Sequence, residues 1–354
     1  MSSLQTSYRP TLGSAEINSR LAALFVPGPI VNHDLDRRMR RIDDRFRSFS
    51  ANSPWGIWAP GHPVTGELRQ TAEQYLPLAE IGRAVRRLLS LALRFHPLQL
   101  PPLFRSSPSW HDAVSGLPPV VTEINPARFL RRLADDETWR HRAIFSLFLP
   151  RHYGGEFDRY PGQSRFLRSL LASRPSGSIR CLDAACGSGE GTYGLVGILR
   201  EAGYCPDQIV VHGTTVEPLE LFAAAHGWFP HDPARQSAFR REIAPLFDGG
   251  GAERVLFFRE DLIRGDKPNG ERYDLVVCNG LLGGPIVSDR HTLGIAVERL
   301  CAKLLPNGTF LAADRFHGGW KKNVPGEHLK ELLARNGLTV REMDQGVAGV
   351  RTRT

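Results

Sequence analysis

IRCLDAACGSGEGTYGL, residues 179–195, decides how the rest of the chain folds. Its opening reads as a short buried strand, its middle as a glycine turn and its end as the start of a helix. Downstream the chain alternates strand and helix patterns, an order that builds a doubly wound α/β sheet. In such sheets the ligand lies beyond the carboxyl ends of the strands, where the first turn opens. Here that turn is 184–191.

The side chains of the turn narrow the ligand. Gly187, Gly189 and Gly191 permit backbone angles and close approaches that a Cβ would block. Asp183 ends the strand just before them and Glu190 follows inside the turn. Helix amides alone suit an anion, but added carboxylates oppose one, so this turn is a poor home for a pyrophosphate and a better one for a ligand with cationic groups. The dinucleotide fingerprint G-x-G-x-x-G also requires a third glycine where Thr192 stands.

LDAACGSGEGTY, 182–193, resembles the first motif of class I S-adenosylmethionine (SAM) methyltransferases, and its AACGSGE core is similar to the CheR-type branch, which methylates glutamates of chemoreceptors. That branch reads A-A-C-S-T-G-E-E-x-Y; Ala184, Ala185, Cys186, Gly189, Glu190 and Tyr193 match, while Ser188 and Gly191 differ. The resemblance implies a seven-stranded Rossmann-like methyltransferase sheet that binds SAM through Asp183, Ala185, Gly187, Gly189 and Glu190. An acidic side chain just past the second strand can take both ribose hydroxyls of an adenosine, and Glu217 is that residue. By the same resemblance Asp261, with Leu262, takes the adenine amino group after strand three, and Asn279, ending the run YDLVVCN at 273–279, lines the methyl-transfer site.

INPARFLRRL, 124–133, is similar to the CheR-type segment I-N-x-T-x-F-F-R at Ile124, Asn125, Phe129 and Arg131, with Ala127 in place of the threonine. On that match Arg131 would orient an acceptor carboxylate through its two-pronged guanidinium. The alternative is that Arg128, Arg131 and Arg132 are an ordinary basic helix face. Other CheR-type features depart. The first of two aspartates at the second strand end is Thr215 here, and the C-R-N-x-x-x-Y motif of strand four keeps only Cys278 and an asparagine. The receptor-gripping β-subdomain should lie within 227–255, which is short and carries only a helical pattern.

A chain of 354 residues has room for two domains. The expected organisation is a flexible tail over 1–20, a mostly helical cap domain over 21–150 and the SAM-binding domain over 151–354. Amphipathic helices are expected over 35–49 and 78–95, the first with a solvated arginine face interrupted by Asp36, Asp43 and Asp44. Trp55 and Trp58 read as cover for a small core or as the floor of a pocket. In the second half, strands are expected over 179–184, 208–217, 254–258, 273–279 and 308–314. Helices fall at 190–202, 220–227, 233–247, 290–305 and 326–335, and an antiparallel edge hairpin at 338–352.

The net charge of +8 comes overwhelmingly from arginine, the first lysine being Lys267. The arginines are scattered without a basic block or aromatic interleaving, which argues against nucleic acid as the partner. No apolar run is long enough to cross a bilayer, and the N-terminus has no basic stretch before its apolar residues 21–31, so a cytoplasmic location with no membrane partner is expected. Five cysteines without a C-x-x-C pair read as buried thiols, and no metal site is expected.

The expected function is transfer of the SAM methyl group to an acceptor. By resemblance that acceptor is a protein or small-acid carboxylate held by Arg131. The alternatives are a small biosynthetic metabolite methylated on O or N, or a SAM- or partner-binding protein without turnover. His212, His226, His231 and His317 could include a base for an alcohol or amine acceptor.

Overall fold

The computed structural model describes residues 7–53, 58–97, 101–149, 157–174, 177–264, 270–284, 287, 289–314 and 326–352. Trp55 and His317 lie outside them. The chain divides into two compact units: 1–5, 12–151 and 229–237 form the first, and 6–11, 152–228 and 238–354 the second.

The first unit is helical: α1 (Ser14–Leu24), α2 (His33–Asn52), α3 (Gly66–Tyr75), α4 (Leu78–Ala92), α5 (Pro102–Ser106), α6 (Trp110–Ser115), α7 (Pro126–Asp135) and α8 (Glu137–Phe148). Three- and four-residue apolar spacing turns Leu35, Met39, Ile42 and Phe49 of α2 and Ile81, Val85, Leu88 and Leu89 of α4 inward. Both helices start at polar or proline caps, α2 on Asn32, whose side chain accepts the Leu35 N–H. The α4 helix stops at Ala92, short of the expected 95, because Leu93 leaves it to bridge Phe25 in an extended pairing. The core continues through rings: Trp110 meets Phe129 edge-on at 5.5 Å, and Phe129 meets Trp139 at 5.2 Å. Trp58 is buried with its indole N–H on the His62 carbonyl, so it serves the core.

Two expectations fail in this half. Asp43 does not interrupt a solvated face of α2: it is buried, and its Oδ1 accepts from the Asn125 side chain at 2.9 Å. Nor do residues 7–20 fray. Ser14–Leu24 is the helix α1, and Ser7–Tyr8 is a strand of the second unit's sheet.

That sheet contains β1 (Ser7–Tyr8), β2 (Ile179–Ala184), β3 (Ile209–Thr215), β4 (Val255–Arg259), β5 (Tyr273–Asn279), β6 (Leu304–Ala313), β7 (Leu338–Met343) and β8 (Gly346–Arg351). Their order is β1-β4-β3-β2-β5-β6-β8-β7. The β4-β3-β2-β5-β6 block is parallel, and β7 and β8 form the expected antiparallel hairpin at one edge. The expected doubly wound, Rossmann-like class is therefore present. The strand count is eight rather than seven because Ser7–Tyr8 pairs antiparallel with Phe257–Phe258.

The second unit's helices are α9 (Pro161–Ala172), α10 (Glu190–Glu201), α11 (Pro218–His226), α12 (Pro233–Asp248, of which 238–248 belong here), α13 (Arg290–Ala302) and α14 (Gly326–Arg335). Alternate strand residues face opposite sides. Leu182, Val276, Cys278, Phe310 and Ala312 pack with Leu293, Val297 and Leu300 of α13 and Leu329 and Leu333 of α14. On the other side Gly213 leaves room for Phe257 and for Thr192 of α10, and Tyr193 of α10 stacks obliquely on Phe257 at 5.6 Å.

Cys181, Cys278 and Cys301 are buried as expected, but Cys205 is exposed. Among the described residues no helix is long and apolar enough to cross a membrane, and no group of His, Cys, Asp and Glu could hold a metal ion.

The first unit also contains a fully buried guanidinium. Arg140 Nη1 donates to the carbonyls of Leu133 and Ala134 at 3.1 and 2.9 Å, and Nη2 to those of Val26 and Gly28 at 3.3 and 2.7 Å. The carbonyls of Leu133, Val26 and Gly28 thus rely on one side chain, while that of Ala134 also accepts the Ile30 N–H at 2.8 Å. Arg140→Met should orphan them and lower unfolding free energy by about 3–5 kcal/mol, a loss urea titration would read. An unchanged midpoint would show that these carbonyls find other donors.

Candidate functional site

The site is set by where the chain reverses direction across the sheet. From β2 it runs through α10 to β3 and α11 to β4, toward one edge, whereas β5, α13 and β6 proceed toward the other. Right-handed crossovers then send α10 and α13 to opposite faces, and a crevice opens between the carboxyl ends of β2 and β5. Register keeps those ends level: Ala184 pairs with Thr214 of β3 and with Cys278 of β5.

The glycine turn occupies this opening. Ala185 has φ +60, one of two non-glycine residues with positive φ among those described. Such a backbone costs on the order of 1–3 kcal/mol and concentrates at ligand sites. The turn is braced by the Cys186 N–H on Thr214 O at 2.8 Å and the Gly189 N–H on Cys186 O at 3.0 Å. Its glycines do different work. At Gly189, with φ +89, a Cβ would sit 2.7 Å from the Ala224 methyl, so that position serves packing. At Gly187, with φ +54, a Cβ would meet nothing within 4 Å, so its backbone borders open space.

Carboxylates ring the opening. Asp183 is buried and accepts the Thr192 hydroxyl at 2.7 Å. Burial pushes its pKa up to about 6, against the pull of that hydroxyl and with the help of Glu190. Glu190 accepts the Ser188 hydroxyl at 2.8 Å in the first turn of α10, where an acid also complements the helix dipole. Glu217 caps α11, its Oε1 3.3 Å from the Leu219 N–H. Burial, helped by the charge of Glu220, raises its pKa to about 8 against the pull of the Leu219 amide and Arg259.

The remaining expected residues fall as follows. Asp261 stands just past β4, its Oδ1 accepting the N–H groups of Ile263 and Arg264, both at 2.8 Å. The side chain of Leu262 is spent in the core beside α13. Asn279 ends β5 at the crevice. Its Oδ1 accepts from the Ala313 N–H at 2.9 Å and from Gln163 Nε2 at 3.0 Å, while its Nδ2 donates to Gln163 Oε1 at 2.8 Å. Tyr193, expected from the motif, is buried and donates to the Ala224 carbonyl at 3.0 Å.

Arg131 belongs to the first unit. Its Nη2 stands 3.7 Å from Asp43 Oδ2, and it lines an open cleft of about 750 Å³ with Arg47, Arg128, Asn125 and Phe46. Asn125 of the same motif caps α7, its Oδ1 accepting the Ala127 N–H at 2.8 Å. His226 and His231, considered as bases, hold backbone carbonyls of Thr11 and Leu149 at 3.0 Å each, and His212 pairs with the Tyr273 hydroxyl at 2.9 Å. His317 is outside the described residues.

Three residues at the site carried no sequence signal. Gln163 lies in α9, about 116 positions from the asparagine it grips. Thr192 was noted only as a missing glycine, yet it anchors Asp183. Glu220 accepts the Thr215 hydroxyl at 2.6 Å and charges the neighbourhood of Glu217.

No protein-family model and no curated protein matches this chain. Among solved structures it is similar to a TehB-like SAM-dependent methyltransferase from Corynebacterium glutamicum, at 18% identity and TM-score 0.36 over 61% of this chain and 94% of that one. It is also similar to the sugar N-methyltransferase KedS8 from a Streptoalloteichus species, at 17% identity and TM-score 0.38 over 59% and 93%. A third is a SAM-dependent methyltransferase from Geobacter sulfurreducens in complex with S-adenosyl-L-homocysteine, at 21% identity and TM-score 0.34 over 56% and 72%. Likeness at this level fixes neither ligand nor reaction, which are read from the chain's own residues.

The raised pKa of Glu217 has a definite sign. Between about 4.5 and 8 the folded chain keeps a proton that the unfolded chain has released, so this group's contribution is full below that window and is lost as pH rises through it. Glu217→Gln carries no such proton. Its melting temperature relative to the parent should rise steadily from pH 5 to pH 8, and a difference independent of pH would contradict the buried-acid assignment.

Proposed function

We propose that this chain is a SAM-dependent methyltransferase of small-molecule acceptors. The observation that carries the reading is the chemistry of the switch-point crevice: a glycine-opened turn bordered by carboxylates, Asp183, Glu190 and Glu217, in place of a phosphate cradle. A cationic adenosine derivative fits that donor and acceptor set. A dinucleotide fits poorly, since Thr192 replaces the third glycine and its hydroxyl is held by Asp183.

In this reading Glu217 takes the ribose hydroxyls, Asp261 the adenine amino group, and the backbone at Ala185 and Gly187 lies against the bound molecule. When bound, SAM supplies a methyl group already activated by its sulfonium charge. The protein then has to align and to exclude water, and alignment alone can be worth roughly 7–11 kcal/mol of barrier. Arg131 would hold a carboxylate in the cleft of its own unit through the guanidinium edges that Asp43 leaves open.

CheR-like ancestry remains our reading of the AACGSGE and INPARFLRRL matches. A small acceptor is favoured over a receptor protein because 227–254 contains α12 and turns but no strand, leaving no β-subdomain to grip a receptor.

SAM and S-adenosylhomocysteine should raise the melting temperature and NAD should not. No shift with SAM at millimolar concentration would sink the proposal. Glu217→Ala should weaken SAM binding by about 1–3 kcal/mol in a calorimetric titration, the cost of orphaned hydrogen-bond partners. Unchanged affinity would remove Glu217 from the ribose. Methyl-labelled SAM that binds without passing label to any small molecule would leave a binding protein without turnover.

A further inference from the structure

Three imidazoles of the helical unit are walled into apolar surroundings with ring nitrogens that nothing satisfies. His111 of α6 is fully buried, its ring 5.4 Å from that of Phe49 and edge-on to Trp58 at 6.1 Å. Neither its Nδ1 nor its Nε2 has a hydrogen-bond partner among the described residues. His141 of α8 has its ring 4.3 Å from that of Phe25, and its Nε2 is buried and unpartnered. His231 is buried with Nε2 donating to the Leu149 carbonyl, while Nδ1 is left without a partner. A protonated imidazole carries a hydrogen on both nitrogens. Each of these three rings would then hold a buried N–H that no acceptor meets, and a charge cut off from water.

We propose that the helical unit is a proton-gated element, which mild acid opens reversibly while the sheet unit stays folded. The inference goes beyond the methyltransferase reading and does not depend on it.

The charges beside the three rings do not rescue the cation. Asp112 favours charge on His111, but it is already engaged by Arg69 at 2.8 Å and by the Ser109 hydroxyl at 2.6 Å. Glu137 favours charge on His141 and Arg140 opposes it; Glu137 also accepts the Gly28 N–H at 2.7 Å, and Arg94 donates to the carbonyl of Phe25, on which His141 packs. At His231, Arg235 opposes the charge that the Leu149 carbonyl and Asp232 favour. Burial wins at all three and presses them down to about 4. The unfolded chain takes up protons below about 6.5 that the folded unit refuses until about 4, so stability present above that window is lost as pH falls through it.

The sheet unit runs the other way. Burial raises Asp183 to about 6 and Glu217 to about 8, so their contribution grows over the same descent. His212, also lowered by burial, belongs to the sheet unit, but its Nδ1 faces the Tyr273 hydroxyl at 2.9 Å, which can accept from the charged ring. The cleft lined by Asn125, Arg128 and Arg131 lies in the helical unit, so opening dismantles that cleft and spares the crevice beyond β2 and β5.

Hydrogen exchange of the full chain, read by peptide mass spectrometry and corrected for the intrinsic pH dependence of amide exchange, tests this. From pH 7.5 to pH 5, exchange in α6 and α8 should rise at least about a hundredfold, exchange in β2 and β5 should not rise, and return to pH 7.5 should restore the starting pattern. His111→Leu removes a titrating ring and keeps an apolar filling, so the acid-induced rise should shrink about tenfold. His141→Leu is the second variant, with the same expectation, should the first fail to fold. Both units opening together, no acid-induced rise in α6 and α8, protection that does not return, or a rise unaltered in the folded variants overturns the proposal.

Discussion

A parallel strand flanked by two parallel neighbours whose connections lead away in opposite directions is the constraint on which the second unit depends. Once β2 lies between β3 and β5, the helices that follow β2 and β5 must cover opposite faces, and the strand ends between them cannot be roofed by either. The turn that leaves β2 therefore faces open space at Gly187 while Gly189, two residues on, is jammed against Ala224. That contrast, one glycine for room and one for packing, ties the fold to its site. The strain at Ala185 belongs to the same turn, held by the Thr214 carbonyl.

The electrostatics follow from the same geometry. Burial raises Asp183 and Glu217 above the usual carboxylate range, with the charge of Glu190 adding to the first and that of Glu220 to the second. A site so arranged favours ligands that bring positive charge or hydroxyl donors. It disfavours phosphates for the same reason. Asn279 and Gln163 add the one neutral, directional element, a locked pair of amides with a single polarity.

Much of this was legible in the residues. YDLVVCN is nearly all apolar, and a strand buried on both faces must be, so β5 falls at 273–279 as the pattern dictates. The α14 helix ends at Arg335 as expected, and Gly337 takes the left-handed φ of +79 just beyond it. The departures are local competitions. The β6 strand begins at Leu304 instead of 308 because a bulge lets Leu304 pair with Tyr273 before Asn307 and Gly308 turn the chain. Ser7 and Tyr8 are too few to show a period, and their strand exists only because β4 presents an edge. Gln163 was invisible because nothing in a helix sequence announces a partner so distant along the chain. Asp43 was misread because a charge in an arginine-rich helix looks solvated until its partner, Asn125, is known.

The central claim is that the carboxylate-lined crevice beyond β2 and β5 holds an adenosine bearing a sulfonium-type side chain. Its most direct measurement is a crystal structure of the chain grown with S-adenosylhomocysteine. The account predicts density against the 185–189 backbone with the ribose hydroxyls within hydrogen-bond distance of Glu217. Density at another place, or a dinucleotide pyrophosphate seated on the α10 amides in preference to it, would contradict the account.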